Sequence, residues 1–297
     1  MKKFISSALL IFLFFGFSTV KAQNLSPYIK VGVSGSDISQ TSSQIKSALQ
    51  AKGFEIIGEY NPENKSSLKV IVYTRKDLQT TVLKVKDRGA LAAALKVGLI
   101  SKSGKTTISY LNPEYLFNAY LGKNYASHQT ALKKVTADAK SALSTLGSEN
   151  KPFGGSLSAS KLQKYQYKMM MPYFTDPVEL EDFDSFEEGV KIIEKNLAAK
   201  KGNTKLIYKL KFSSSKVAVF GVGLMDKTKG EAKFLPIIGE DHIAAMPYEI
   251  ILQGTEATML HGRYRLAVHW PELTMGTFME IMSSPGDIEE TLEGLCE

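Results

Sequence analysis

The residues best suited to chemistry lie between His261 and Trp270. If this segment is a β-strand, alternate side chains share a face. One such face carries four ionisable residues: His261, Arg263, Arg265 and His269. Two guanidinium groups and two imidazoles on one face can bind a carboxylate or a phosphate. Glu249, on the strand predicted to lie beside this one, is the fifth candidate ligand-binding residue. It could instead pair with an arginine and neutralise it.

Two alternative functions are also compatible with the sequence. One uses the same residues for catalysis, and the other needs no site in this region. A hydrolase or isomerase could use His261 or His269 with Glu249 as acid and base, which requires one histidine within hydrogen-bond reach of a carboxylate. A structural protein of the cell envelope would need no such site. The sequence leaves these alternatives open.

Three other motifs lack the spacing or the partner residues that their functions require. The glycines of Gly98–Thr106 are separated by five residues, whereas a phosphate-binding loop needs four. Ser158-Ala-Ser-Lys161 has the Ser-x-x-Lys form of penicillin-binding enzymes but lacks their partner motifs. The acidic run from Asp176 to Glu188 lacks the glycine and distal glutamate of a calcium loop. We therefore predict no metal site and no cofactor.

The methionines could in principle bind copper together with nearby histidines. However, Met275, Met279 and Met282 are spaced as on one helix face, which is typical of residues packed into a core. The spacing therefore predicts that these side chains are buried.

The N-terminus has the form of an export signal. Two lysines precede an apolar stretch from Phe4 to Phe17, which is short for a membrane span, and Val20-Lys-Ala22 ends on a small residue. We predict cleavage before Gln23, no transmembrane span in the mature chain, and a periplasmic or secreted protein. The single cysteine, Cys296, leaves no internal disulfide to hold the fold together.

Charge is distributed unevenly along the chain. Residues 24–148 carry 17 lysines and arginines and 8 acidic residues, whereas residues 149–297 carry 17 and 22. Opposite net charges could hold the two halves together. The basic residues are scattered lysines, and export removes the usual nucleic-acid partner, so we predict no nucleic-acid binding.

The order of elements indicates two copies of one domain. Ile108–Tyr120 and Leu266–Phe278 both read as a strand, a Pro-Glu pair and a helix, and two further Ile-x-x-x-Leu segments match upstream. We predict a first domain over 23–147, a linker over 148–161 that is rich in Gly and Ser, and a second domain over 162–297. Each domain reads as α+β: an antiparallel sheet with helices on one face. Strands are predicted at 80–85, 165–174 and 263–269, among others.

The second copy resembles the domain-of-unknown-function family 302. The matching motifs are Ser185-Phe-Glu-Glu188, Val219-Phe-Gly221, Met246-Pro-Tyr-Glu-Ile250 and Trp270-Pro271. The first copy is the weaker match, with Leu95-Lys96 where the family has Leu-Pro. The resemblance implies a β-α-β4-α arrangement similar to that of the TATA-binding protein, and it implies no activity. We therefore expect an exported, soluble, non-catalytic protein that binds a small molecule or an envelope protein.

Overall fold

The computed structural model describes residues 24–297, and the predicted signal peptide at residues 1–22 lies outside the described residues. The strands of the first half are β1 (Asn24–Leu25), β2 (Tyr28–Ser34), β3 (Glu55–Tyr60), β4 (Leu68–Thr74), β5 (Leu95–Lys102), β6 (Lys105–Leu111), β7 (Lys151–Phe153) and β8 (Leu157–Ser158). Its helices are α1 (Ile38–Gln50), α2 (Lys76–Val82), α3 (Pro113–Leu121), α4 (Tyr125–Leu143) and α5 (Ala159–Leu162). Both strands and helices are present, as the α+β prediction requires.

The second half has the same kinds of element. Its strands are β9 (Val178–Asp182), β10 (Thr204–Phe212), β11 (Val217–Leu224), β12 (Tyr248–Gln253) and β13 (Glu256–Met259). Its helices are α6 (Phe186–Ala198), α7 (Glu231–Ile238), α8 (Gly262–His269), α9 (Met275–Glu280) and α10 (Ser284–Glu293). Within residues 24–297, no helix combines the length and the apolar character that crossing a membrane requires.

The two sheets have the same strand order. The first sheet runs β3-β4-β5-β6-β2-β7, and the second runs β10-β11-β12-β13-β9, with all neighbours antiparallel. Strand β2 lies beside β6 and β9 lies beside β13, although two helices and three strands separate each pair in the chain. The α+β class is thus confirmed. Both halves have the strand, helix, four strands, helix order that the resemblance implied, with one further helix, α2 or α7, in the middle of the four strands.

Local sequence explains why the main elements begin and turn where they do. Ser185 accepts a hydrogen bond from the Glu188 backbone N–H and caps α6, in the Ser-x-x-Glu pattern of a capping box. Asp37 caps α1 in the same way. The β5–β6 hairpin turns through Ser103 and Gly104, both with positive φ, which suits the twist of a two-residue turn.

The two halves share one core. Buried apolar side chains from both form a single continuous cluster. The edge strands β3 and β10 meet at Gly58, where a Cβ atom would lie 2.2 Å from the Ile207 carbonyl oxygen. A side chain there would force the two strands apart.

Helices α3 and α8 exchange equivalent hydrogen bonds across this interface. The Tyr115 hydroxyl donates to the Val268 carbonyl at 2.7 Å, and the Tyr264 hydroxyl donates to the Ala119 carbonyl at 3.2 Å. On each helix, the donating tyrosine and the residue whose carbonyl accepts a hydrogen bond are four positions apart. The helices therefore face each other as elements related by an approximate two-fold axis do.

Three strand predictions are wrong. Residues 80–85 belong largely to α2 and the turn after it, and residues 165–174 form turns and bends. Residues 262–269 form α8, not a strand. Within α8 the exposed and half-exposed positions, Arg263 and Ala267, are four residues apart, and all the other helical positions are buried. A segment buried on nearly all sides shows no clear period, so its sequence does not distinguish a helix from a strand.

The structure also shifts the alignment between the halves. Pro113 begins α3, but Pro271 follows the end of α8. The position matching Asn112, which caps α3, is His261, which caps α8. Residues 148–161, predicted as a linker, contribute β7 to the first sheet and pair β8 with β1.

Candidate ligand-binding site

Helix α8 positions four of the five predicted site residues. The His261 side chain caps the helix by accepting a hydrogen bond from the Arg263 backbone N–H through Nδ1 at 3.2 Å. A helix places residues four apart on the same side. Arg265 and His269 therefore share a buried side, whereas Arg263 points outward. The helix separates residues that a strand would have kept on one face.

Arg265 lies between the two halves, fully buried. Its Nη2 donates to the carbonyl oxygens of Ala245 and Pro247 at 2.6 and 2.9 Å, and its guanidinium lies 3.5 Å from the centre of the Tyr248 ring. Its Nε and Nη1 have no hydrogen-bond partner among the described residues. These contacts fix the guanidinium rigidly, away from solvent.

Glu249 is the buried anion of this region. Strand β12 holds its carboxylate 2.5 Å from Lys96 Nζ on β5, 3.4 Å from the Tyr208 hydroxyl and 3.7 Å from Arg265 Nη2. Burial lowers the pKa of Lys96, and the neighbouring Glu249 charge opposes that change. Two cations and one carboxylate thus form a buried cluster that joins the halves.

His269 hydrogen-bonds tyrosines and no carboxylate among the described residues. The Tyr120 hydroxyl lies 2.9 Å from Nε2, and the Tyr28 hydroxyl lies 3.4 Å from Nδ1. Burial, together with the nearby charge of Arg265, lowers the pKa of His269 well below its ordinary value. A neutral imidazole has one donor and one acceptor, so one tyrosine donates and the other accepts.

His261 also lacks a carboxylate partner. Its Nδ1 is used in the helix cap, and burial together with the Arg263 charge lowers its pKa. Glu249 hydrogen-bonds neither histidine among the described contacts. The pairing that an acid/base mechanism through these residues needs is therefore not formed.

Arg263 lines a surface groove, which we call the methionine groove. The groove has a volume of about 360 Å³. It lies between α8, the 167–171 segment and the region from Leu273 to Met282. Its walls are formed by Tyr167, Lys168, Met169, Met171, Arg263, Leu266, Ala267, Trp270, Leu273, Met275, Phe278 and Met282. Ten of these twelve side chains are mainly apolar, and the other two are cations.

The methionines of this region are exposed, so the prediction of a buried methionine face is wrong. Met275, Met279 and Met282 are 53, 57 and 57% exposed, and Met169 and Met170 are 87 and 92% exposed. Helix α9 spans only six residues, none of them buried. The helix ends at Glu280, before Met282, so the three methionines do not form one helix face.

A second cavity of about 820 Å³ lies at the junction of α3, α5 and the 173–175 segment. Its lining includes Tyr120, which contacts His269, and Phe174, over whose ring the Arg88 guanidinium lies. Asp87 and Lys123 give this lining both signs of charge. The methionine groove differs because all its charged residues are cations.

The structure thus divides the five predicted residues. Glu249, Arg265 and His269 lie in the buried region between the halves, Arg263 lines the groove, and His261 caps the helix between them. Sequence reasoning missed Lys96 and Trp270. A lysine within the apolar strand Leu95–Leu99 and the single tryptophan of the chain were signals that could have identified them. Within residues 24–297, no group of three His, Cys, Asp or Glu side chains could hold a metal ion.

Comparison with known proteins identifies the first half. Residues 29–146 match the family described as Domain of unknown function DUF302. Among solved structures, the chain is similar to an uncharacterized conserved protein DUF302 from Bacillus stearothermophilus, with 12% identity and a TM-score of 0.33, over 42% of this chain and 96% of that chain. No protein with curated annotation matches.

The matched segment is the half for which the motifs predicted the weaker resemblance, and membership of the second half stays a prediction. The family description states no activity, so the match bears on fold and not on chemistry. Residues 29–146, less than half of the chain, thus match the model of the DUF302 family.

Proposed function

We propose that this chain is a non-catalytic binding protein whose small apolar ligand occupies the methionine groove. The observation that carries the proposal is the groove itself, a concave apolar surface built around exposed methionines, with the largely buried Trp270 in its lining. Its volume of about 360 Å³ falls in the range of roughly 300–1,000 Å³ typical of small-molecule pockets. A small molecule is therefore favoured over a protein partner.

The side chains suit a loosely defined apolar ligand. Methionine is flexible and polarisable, and methionine-rich surfaces adapt to varied apolar partners. Exposing several of them together costs free energy, because apolar surface in water is unfavourable. A ligand that covers Met169, Met275 and Met282 would recover part of that free energy.

The geometry of the histidines favours binding over catalysis. His269 contacts two tyrosines, His261 caps a helix, and neither is hydrogen-bonded to Glu249 among the described residues. The hydrolase or isomerase alternative needs such a pair.

The proposal extends to location and architecture. The N-terminal sequence supports export with cleavage before Gln23. The shared strand order and the reciprocal tyrosine bonds of α3 and α8 support a second DUF302-like domain that packs on the first as its duplicate.

Trp270 provides the test, because it is the only tryptophan and it lines the groove. Titration of residues 23–297 with Nile red, a neutral apolar dye, should increase dye emission and change Trp270 fluorescence together. Met275→Asp should weaken dye binding about tenfold or more, since it replaces a methionine contact with a charge.

Met279→Asp is the matched control. Met279 lies on the same helix and is equally exposed, but it does not line the groove. The proposal is wrong if the dye does not bind, or if the two aspartate variants weaken binding equally.

A further inference from the structure

We propose that the ligand of the methionine groove is a single-chain amphiphile with an anionic head group, such as a fatty-acid carboxylate, whose head group pairs with Arg263. This inference rests on the proposed function and specifies its ligand class. It follows from how charge and apolar surface are arranged along the groove.

Helix α8 contributes one continuous wall. Arg263, Leu266, Ala267 and Trp270 all line the groove, at the spacing of residues on one side of a helix. Seven residues of helix span about 10 Å. The wall therefore has a guanidinium at one end and apolar surface along the rest, which is the polarity of an amphiphile.

The charges of the groove have one sign. Lys168 and Arg263 are its only lining residues with ionisable charge at neutral pH, and both are cations. Neither forms an ion pair with a described residue. Arg263 is exposed, so a head group bound there would keep part of its hydration. A guanidinium can bind a carboxylate through two parallel hydrogen bonds.

The opposite wall suits an alkyl chain. Met275, Phe278 and Met282 face α8 across the groove, with Leu273 beside them. No carboxylate lines the groove, so nothing there repels an anion. A cationic amphiphile would meet Arg263 and Lys168 and should bind weakly.

We infer a monomeric ligand and not a membrane surface, because the groove is concave and the guanidinium of Arg263 lies at one end of its α8 wall. Anionic phospholipids share the head-group charge, so vesicles must form a separate arm of the test.

The test compares three ligands that share one chain: laurate, dodecanol and dodecylammonium, each below the concentration at which it aggregates. Trp270 fluorescence of residues 23–297 reports binding. Laurate should bind about tenfold more tightly than dodecanol, because a carboxylate forms two parallel charge-assisted hydrogen bonds with the guanidinium and an alcohol does not. Dodecylammonium should bind more weakly than dodecanol.

Arg263→Gln should remove the preference for laurate over dodecanol. Lys191→Gln is the matched control, because Lys191 is an exposed cation of the same half that lies outside the groove lining. Urea midpoints of both variants should equal that of the wild type, which shows that the fold is intact.

The outcomes separate the two proposals. Equal binding of laurate and dodecanol, or an unchanged preference in Arg263→Gln, overturns the anionic head group and leaves apolar binding standing. Failure of Nile red and all three amphiphiles to bind overturns both proposals. Binding to vesicles of phosphatidylglycerol, but not to laurate, overturns the monomeric ligand.

Discussion

Removing the buried carboxylate of Glu249 should destabilise the protein strongly. Glu249→Gln conserves shape but leaves the charges of Lys96 and Arg265 without their anion, in a region where all three side chains are buried. Breaking a buried ion pair on one side costs about 3–5 kcal/mol. Domains are commonly stable by only about 5–15 kcal/mol, so this loss would be a large share of the total.

The pH dependence of the loss gives a second check. Burial already lowers the pKa of Lys96, and Glu249 opposes that shift. Without Glu249, the pKa of Lys96 in the folded state should lie further below its pKa in the unfolded state. The cost of the substitution should therefore decrease as pH rises above neutral.

The assay is urea unfolding followed by far-UV circular dichroism, with the free energy of unfolding extrapolated to water. The double variant Lys96→Met with Glu249→Leu is the control, because it removes both charges and should recover much of the lost stability. A loss below about 1 kcal/mol in Glu249→Gln would refute the reasoning, since that is the range of exposed ion pairs.

Three further predictions follow from other contacts. Burial raises the pKa of Glu231 from 4.5 to about 7. As pH rises between those values, the unfolded state loses the Glu231 proton before the folded state does. The free energy of unfolding should therefore fall over this range, by at most about 1.4 kcal/mol per pH unit. Glu231→Gln should remove that fall in urea midpoints measured across this pH range. His261→Ala should lower the free energy of unfolding by about 1 kcal/mol, because it removes the cap of α8. His261→Asn should cost much less, because asparagine can also cap a helix. Equal losses of stability in the two variants would contradict the capping role. Tyr115→Phe and Tyr264→Phe should each lower the free energy of unfolding by about 1–3 kcal/mol, because each leaves a buried carbonyl unpaired. If thermal or urea unfolding detects no loss of stability in either variant, the reciprocal arrangement is contradicted.

Much of the fold could be predicted because its signals are local. The Ser185 cap, the Lys-Ser-Gly-Lys turn of the β5–β6 hairpin and the α+β order depend on neighbouring residues. Segment 262–269 could not be assigned because burial on nearly all sides removes the period that identifies a helix. Segment 165–174 has apolar residues but forms turns, and its central part, from Tyr167 to Met171, lines the groove.

The site could be predicted only in part. The sequence identified residues that do matter to the structure, but it placed His261, Arg263, Arg265 and His269 on one face. A helix distributes them over a cap, a groove and a buried cluster. The exposed methionines were missed because their spacing predicts one buried helix face, whereas α9 ends before Met282 and has no buried residue.

The most direct measurement uses laurate that carries a terminal bromine. Bromine quenches tryptophan fluorescence only near contact, and Trp270 is the sole tryptophan of the chain. If the chain lies along α8 with its head group at Arg263, the bromine reaches the Trp270 end of the groove and should quench strongly, whereas unmodified laurate should not. If brominated laurate binds in equilibrium dialysis but leaves Trp270 unquenched, the ligand lies elsewhere and the account of the methionine groove is contradicted.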